Sequence, residues 1–189
     1  VQANYRTNIF GALLTNPAEF NVVKEKNYET PDYNVVWNGE VDTNIPSEDV
    51  AGVTTYTITT PAQLAGLSAL VMGGDPFKGK VVRLDADLDM NNEVFTPIGY
   101  FSSNGAYGFA GTFDGNGKTI SNLNCIEVPN GDSNAAGLFA YIKSGAEIKN
   151  LTVDGAKVMG THFAGVICGY AHAGDAANLK ITNCTVKNS

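Results

Sequence analysis

Charge is scarce in this chain. Only 16% of its 189 residues are charged, against ~25% in an ordinary globular domain. Twelve Lys and Arg stand against 19 Asp and Glu, a formal net charge of −7. So few cations, with no run among them, neutralise few phosphates, which argues against nucleic-acid binding. The acidic balance argues equally against docking on an anionic bilayer. No apolar run approaches the ~18 residues that a transmembrane helix needs. The three cysteines, Cys125, Cys168 and Cys184, cannot close a disulfide framework. The two histidines, His162 and His172, have no Cys, His or Glu at metal-ligand spacing, so both read as structural or solvent-facing. Neither a Ser/His/Asp nor a Cys/His arrangement emerges, and the lone Gly115–Lys118 stretch (GNGK) lacks a phosphate-loop pattern. The chain opens on Val1 with neither Met nor a signal-like apolar segment. The expectation is a removed export segment or a piece of a longer protein.

Gly, Asn and Thr are abundant, at 21, 20 and 16 residues, while 43% of the chain is hydrophobic. Disorder needs low hydrophobicity and high charge, so this composition predicts an ordered all-β protein with many tight turns. The length suits one domain, with at most an appendage, and suffices for a buried core without staples.

Residues 1–37 read as an extended β appendage. The Asn16-Pro17 turn signal separates Tyr5–Leu14 from Glu19–Tyr28, and Tyr33–Trp37 forms a third extended piece. Residues 38–53 are polar and rich in Gly, Pro and Asp, as in a linker. The β-branched stretch 54–60 (TTYTITT) favours a strand. Thr60 at the N-cap and Pro61 at the first helical position then begin a helix over 61–72. Leu64, Leu67, Leu70 and Val71 give it one apolar face, and Gly73-Gly74 ends it. Residues 81–90 (VVRLDADLDM) alternate apolar and polar, which predicts one half-buried strand.

Two short patterns recur three times each in the same order. Ile120–Cys125 (ISNLNC), Ile148–Val153 (IKNLTV) and Ile181–Val186 (ITNCTV) share Ile-x-Asn-[Leu/Cys]-x-[Val/Cys], with spacings of 28 and 33 residues. Ala110–Phe113 (AGTF), Ala136–Phe139 (AGLF) and Ala164–Ile167 (AGVI) precede them. A repeat of this length without a repeating helix predicts a β-solenoid of about three coils over residues 54–189. Ile120, Ile148 and Ile181 are expected to stack in one buried column, as are Leu123, Leu151 and Cys184. Asn122, Asn150 and Asn183 should form a ladder at a bend. Cys125 and Cys184 should lie two coils apart, too far for a disulfide. Residues 129–135 and 171–178 should bulge as loops. The 61–72 helix should cap the N-terminal end of the stack. No cap follows the last repeat, which suggests truncation or a following domain.

Residues 56–186 resemble bacterial surface proteins with GLUG-type repeats, through Tyr56–Leu70, Phe77–Met90, Phe95–Tyr100, Gly111–Leu123, Ala136–Ile142 and Ala164–Tyr170. The segment Phe109–Leu123 (FAGTFDGNGKTISNL) is the most specific. Gly137-Leu-Phe-Ala and Gly165-Val-Ile-Cys depart from the family by lacking its second Gly. Residues 4–36 are similar to the C-terminal tail of fimbrillin-like proteins from Gram-negative surfaces. The resemblance implies a right-handed parallel β-helix in an exported protein, anchored at the outer membrane or extracellular. It also implies an adhesin-like role toward a glycan or a host or bacterial surface protein.

Candidate sites follow from the remaining polar and aromatic clusters. Asp85, Asp87 and Asp89 share one predicted strand face. They read first as a solvated face, since alternate residues on a strand lie about 6.5–7 Å apart. The alternatives are a Ca²⁺ site and paired carboxylates for glycosidic cleavage. Asp114–Gly117 reads as a turn. Tyr100, Phe101 and Tyr107 flank a Ser/Asn/Gly loop, where they either stack on a sugar or pin the loop to the first coil. Asn150-Leu-Thr and Asn183-Cys-Thr match glycosylation sequons but belong to the repeat. The favoured function is a non-catalytic surface module with no cofactor. A polysaccharide lyase or glycoside hydrolase, for which Arg83 beside Asp85 is the single supporting pair, and a stalk or spacer remain as alternatives.

Overall fold

The computed structural model describes residues 36–101, 107–127, 135–171 and 178–189, all within one compact unit. The expected extended pieces before residue 36, residues 102–106, the expected loop 129–135 up to residue 134, and residues 172–177 of the expected loop 171–178, His172 among them, lie outside the described residues. Short strands dominate. In chain order they are β1 (Ser47–Val50), β2 (Val53–Ile58), then helix α1 (Pro61–Met72), β3 (Val81–Leu84), β4 (Leu88–Asp89), β5 (Val94–Phe95), β6 (Thr112–Asp114), β7 (Thr119–Ser121), β8 (Asn124–Ile126), β9 (Ala135–Ala136) and β10 (Phe139–Ile142). There follow β11 (Glu147–Lys149), β12 (Thr152–Asp154), β13 (Lys157–Met159), β14 (Phe163–Ala164), β15 (Cys168–Ala171), β16 (Lys180–Thr182) and β17 (Thr185–Lys187).

The chain is mainly β, and its sheets are parallel apart from the antiparallel pairing of β1 with β2. The largest sheet runs β1-β2-β3-β6-β11-β16, a second runs β4-β7-β12-β17 and a third β5-β8-β13. The chain therefore visits three sheets in the same order, as β3-β4-β5, β6-β7-β8 and β11-β12-β13, and begins a further pass with β16 and β17. Each pass is called a layer below. Two smaller parallel pairs, β10 with β15 and β9 with β14, lie between them.

Register places apolar side chains over one another. Tyr56, Val82, Phe113, Ile148 and Ile181 are successive partners in the first sheet. Leu88, Ile120, Val153 and Val186 are partners in the second. Phe95, Cys125 and Val158 are partners in the third. Val82, Phe113, Ile148, Ile120 and Val153 are fully buried. Phe109 adds to the same core, with its ring centroid 5.1 Å from that of Phe139, which in turn meets Phe113 edge-on at 5.3 Å.

This register corrects the expected columns. Ile148 and Ile181 do stack, but Ile120 sits one corner further along, over Leu88 and under Val153. The cause is a repeat within each layer. Val153 follows Ile148 by five residues and Val158 follows Val153 by five, as Cys125 follows Ile120, and each step ends a strand and turns a corner. One sequence pattern thus describes consecutive corners. In the layer of Phe113 the first corner is the longer Asp114–Lys118 turn, so the pattern reappears at the second. Cys125 and Cys184 accordingly occupy different columns. The Ala-Gly pattern behaves alike, since Ala136 pairs with Ala164 while Phe113 belongs to another sheet.

The corners rest on left-handed residues. Asn122, Asn150 and Asn183 have φ of 54°, 54° and 51°, a region that Asn tolerates better than other side-chain-bearing residues. Each amide also reaches back to the preceding layer. Asn183 donates to Asn150 Oδ1 at 2.8 Å and Asn150 to Asp114 Oδ1 at 3.0 Å, while Asn122 donates to Asp89 Oδ1 at 2.8 Å in a separate ladder.

Helix α1 has the expected bounds. Thr60 and Gln63 form a reciprocal capping box with Pro61 inside it, and Gly73 closes the end. Leu64, Leu67 and Val71 are buried, but so are Gln63, Ala65, Gly66 and Ser68, because the helix is covered on a second side. The segment 38–53, expected as a linker, supplies that cover. Trp37 and Ile45 join the core, Asp42 N donates to Ala62 O at 2.9 Å, and a Cβ on Gly66 would overlap the carbonyl of Asp42. Trp37, placed at the end of the appendage by its extended context, belongs to this same body. Residues 81–90 also differ from expectation. The alternating burial holds, with Val82, Leu84, Leu88 and Met90 buried, yet the chain bends at Asp85–Asp87 and its halves enter different sheets.

Replacing Ile148, fully buried, by Ala should cost about 2–5 kcal/mol in urea unfolding. The same change at Ile181, in the same column but 49% exposed, should cost about 1 kcal/mol. Asn150→Ala should destabilise by about 1–2 kcal/mol through its φ and its ladder bonds, with Asn150→Gly recovering the conformational part. An Ala variant as stable as the parent would remove the corner role.

Candidate functional site

The three aspartates are drawn into the framework. Asp85 accepts from Arg83 Nε at 2.8 Å and Nη2 at 3.0 Å, and from Asn116 Nδ2 of the next layer at 3.3 Å. Asp87 accepts from Thr119 N at 2.7 Å, and Asp89 from Asn122 Nδ2 and Asn91 N at 2.8 Å each. Each carboxylate therefore holds its layer to the following one. The bend between β3 and β4 takes Asp85 and Asp89 out of a common strand face. Among the described residues no three His, Cys, Asp or Glu side chains come together as a metal-binding group.

Arg83 and Asp85 do meet, as a bidentate pair with about a third of each side chain exposed. The pairing hydrogen bond from Arg83 holds the Asp85 carboxyl below the usual carboxylate range. It also pushes the guanidinium up. Arg83 stands beside Asp114 in the sheet register, and Asp114 beside Lys149. Lys149 Nζ lies 3.9 Å from Asp114 and 3.8 Å from Glu147, so opposite charges alternate from layer to layer.

The aromatic candidates contact one another. Tyr100 and Tyr107 exchange backbone hydrogen bonds of 2.8 and 2.9 Å, and their rings stack at 5.1 Å. Phe101 meets Tyr141 and Tyr170 edge-on at 5.4 and 5.5 Å. These contacts tie both ends of the 102–106 loop to the layers, and Tyr100, Phe101 and Tyr107 keep part of each ring exposed. His162 is exposed beside Phe163, with ring centroids 6.5 Å apart. The cysteines are free. Burial pushes the Cys125 thiol up to about 12 and the Cys168 thiol up to about 11, too high for a nucleophile at neutral pH.

Two concavities involve residues that periodicity does not single out. A cleft of about 310 Å³ lies between α1 and β5, lined by Trp37, Val41, Ala65, Ala69, Met72 and Val94 among others. A second of about 160 Å³ lies beside Tyr107 and includes Gly74, Pro76 and Lys143. Lys143 follows β10 directly, and only tertiary structure brings it to the aromatic loop.

No family model matches the chain, and no solved structure matches it. Over 74 residues, 39% of this chain, it is 35% identical to Halomucin of Haloquadratum walsbyi. That stretch spans about 1% of Halomucin's length. No helix among the described residues is long and apolar enough to cross a membrane.

A depressed carboxyl pKa stabilises the fold above the ordinary carboxylate range, and that contribution is lost as pH falls through the depressed value. In Arg83→Gln the Asp85 carboxyl should titrate higher, in the ordinary range, as followed by carboxyl-carbon NMR. Added salt should narrow the difference between variant and parent, because the pair is exposed. An unchanged Asp85 midpoint would show that Arg83 does not set it.

Proposed function

We propose that the chain is a right-handed parallel β-helix of the GLUG-repeat kind. In this reading it acts as a non-catalytic, adhesin-like module at the cell surface. The observation that carries the reading is the repeated parallel register from Val82 through Phe113 and Ile148 to Ile181. Successive passes through the same sheets give an elongated stack with α1 toward its first layer as a cap, and the connections between strands are left as the presenting surface. The use of Asp85, Asp87 and Asp89 as acceptors between layers favours a scaffold over a carboxylate-driven hydrolase. The setting in this reading is exported, either anchored at the outer membrane or extracellular. The ligand in this proposal is a glycan or a host or bacterial surface protein, bound without cofactor. The fimbrillin-like segment at residues 4–36 belongs to the same surface-protein reading.

A glycan array, paired with a panel of polysaccharides incubated with Ca²⁺, tests the proposal. Binding to a defined glycan class without turnover is the expected result. Turnover that disappears in Asp85→Ala would replace the module by a carbohydrate-active enzyme. Silence on the array and against surface proteins at high density would leave only a spacer.

A further inference from the structure

We infer that the outer face of β16 and β17 receives a further layer of the same repeat from another chain, through a segment of the form acidic-Ile-x-Asn-x-x-Val-acidic. β16 and β17 are the last strands of their sheets, each with a strand on one side only among the described residues. Their inward residues belong to columns whose earlier members are sealed. Ile148 and Val153 are fully buried, whereas Ile181 and Val186, next in the same columns, are 49% and 45% exposed. Residue type does not account for this, since both layers carry the same apolar pattern. What differs is the cover: a layer lies over Ile148 and Val153, and no described strand lies over Ile181 and Val186.

The main chain at this face is set for a parallel strand. In the layer below, Ala146 O and Leu151 O accept from Lys180 N and Thr185 N at 3.0 and 2.8 Å, while Asn150 N and Gly155 N donate to Thr182 O and Lys187 O at 3.2 and 3.0 Å. The equivalent groups one layer on are Leu179 O, Cys184 O, Asn183 N and Asn188 N. The corners are repeated as well. Asn183 and Asn188 have φ of 51° and 49°, and their amides reach Asn150 Oδ1 and Asp154 Oδ1 at 2.8 Å each. The side-chain oxygen of Asn183 therefore stands where that of Asn150 stands one layer earlier, as an acceptor for the next corner.

Charge selects among segments. Along the outward positions, Thr112, Glu147 and Lys180 are successive partners in the first sheet, and Ser121, Asp154 and Lys187 in the second. Each lysine has an acidic partner beneath it, and a like charge directly above it would repel. An acidic residue over each lysine continues the alternation. Residues 147–154 (EIKNLTVD) have that form, and as a free segment they would set Glu over Lys180, Ile over Ile181, Val over Val186 and Asp over Lys187. In strand addition, main-chain bonds give affinity and alternate side chains choose the partner. A second folded copy is the poorer occupant. Its own 147–154 segment is held between two layers, and its matching end face carries the same two lysines.

The test is an NMR titration of the isotope-labelled full chain with a free peptide of residues 145–156. The Asn183 and Asn188 amides should shift on binding. A peptide with Lys in place of both acidic residues should bind about tenfold more weakly. Lys180→Glu combined with Lys187→Glu should reverse that preference. Ile181→Asp combined with Val186→Asp should lose binding, and circular dichroism separates lost binding from lost folding. Absence of shifts at millimolar peptide, or equal affinity of the parent for both peptides, would overturn the inference. Sedimentation of the chain alone as a dimer that Ile181→Asp dissociates would overturn it too, by assigning the face to a second copy.

Discussion

Vertical registration of buried side chains is the constraint on which the rest of the structure depends. A parallel strand pair places partners about 4.8 Å apart, so an inward residue rests on its counterpart one layer earlier and supports the next. Val82, Phe113 and Ile148 differ in shape but share the apolar character and full burial that such contact requires. A polar residue at any of them would be buried between two apolar neighbours with no partner. Outward positions face a parallel constraint, because like charges directly opposite repel. The chain resolves it with little charge and with alternating sign where charge occurs, as in Arg83, Asp114 and Lys149.

Registration between layers requires corners that repeat with fixed geometry, and asparagine supplies them. Glycine would adopt the same positive φ more freely, but it has no amide to reach the neighbouring layer. Asn150 both turns the chain and links Asp114 below to Asn183 above. Aspartate serves where only acceptance is needed, so Asp89 and Asp114 receive the amides of Asn122 and Asn150. The abundance of asparagine and the position of these aspartates have one origin. The corner must satisfy polar groups at the same place where it bends the backbone.

What was legible in the sequence was local. The bounds of α1 follow from Thr60, Pro61 and Gly73, whose effects act within a turn of the helix. Apolar alternation over 81–90 likewise marked which side chains are buried. Registration was not legible, because a five-residue step repeats along each layer and offers the same pattern at consecutive corners. Ile120 therefore looked equivalent to Ile148 when its partner is Val153. Ile45 stands alone in a polar stretch and Trp37 at the end of an extended piece, where single apolar residues carry no period, though both enter the core. Period-two reasoning also put Asp85, Asp87 and Asp89 on one face, since nothing in the alternation signals the bend that separates β3 from β4.

The same stacking determines where recognition can reside. Each side chain on the sheets of an inner layer is committed twice, to its partner in the layer before and to its partner in the layer after, whether in an inward column or beside an outward neighbour, so substituting one disturbs three layers. Connections such as the one holding Lys143 carry no such double obligation. They can differ in length and composition from one layer to the next while the corners remain fixed. Tyr107, stacked on Tyr100 and bonded to it through the backbone, lies in such a connection and outside the columns. A repeated scaffold thereby carries non-repeated chemistry in the connections between its strands.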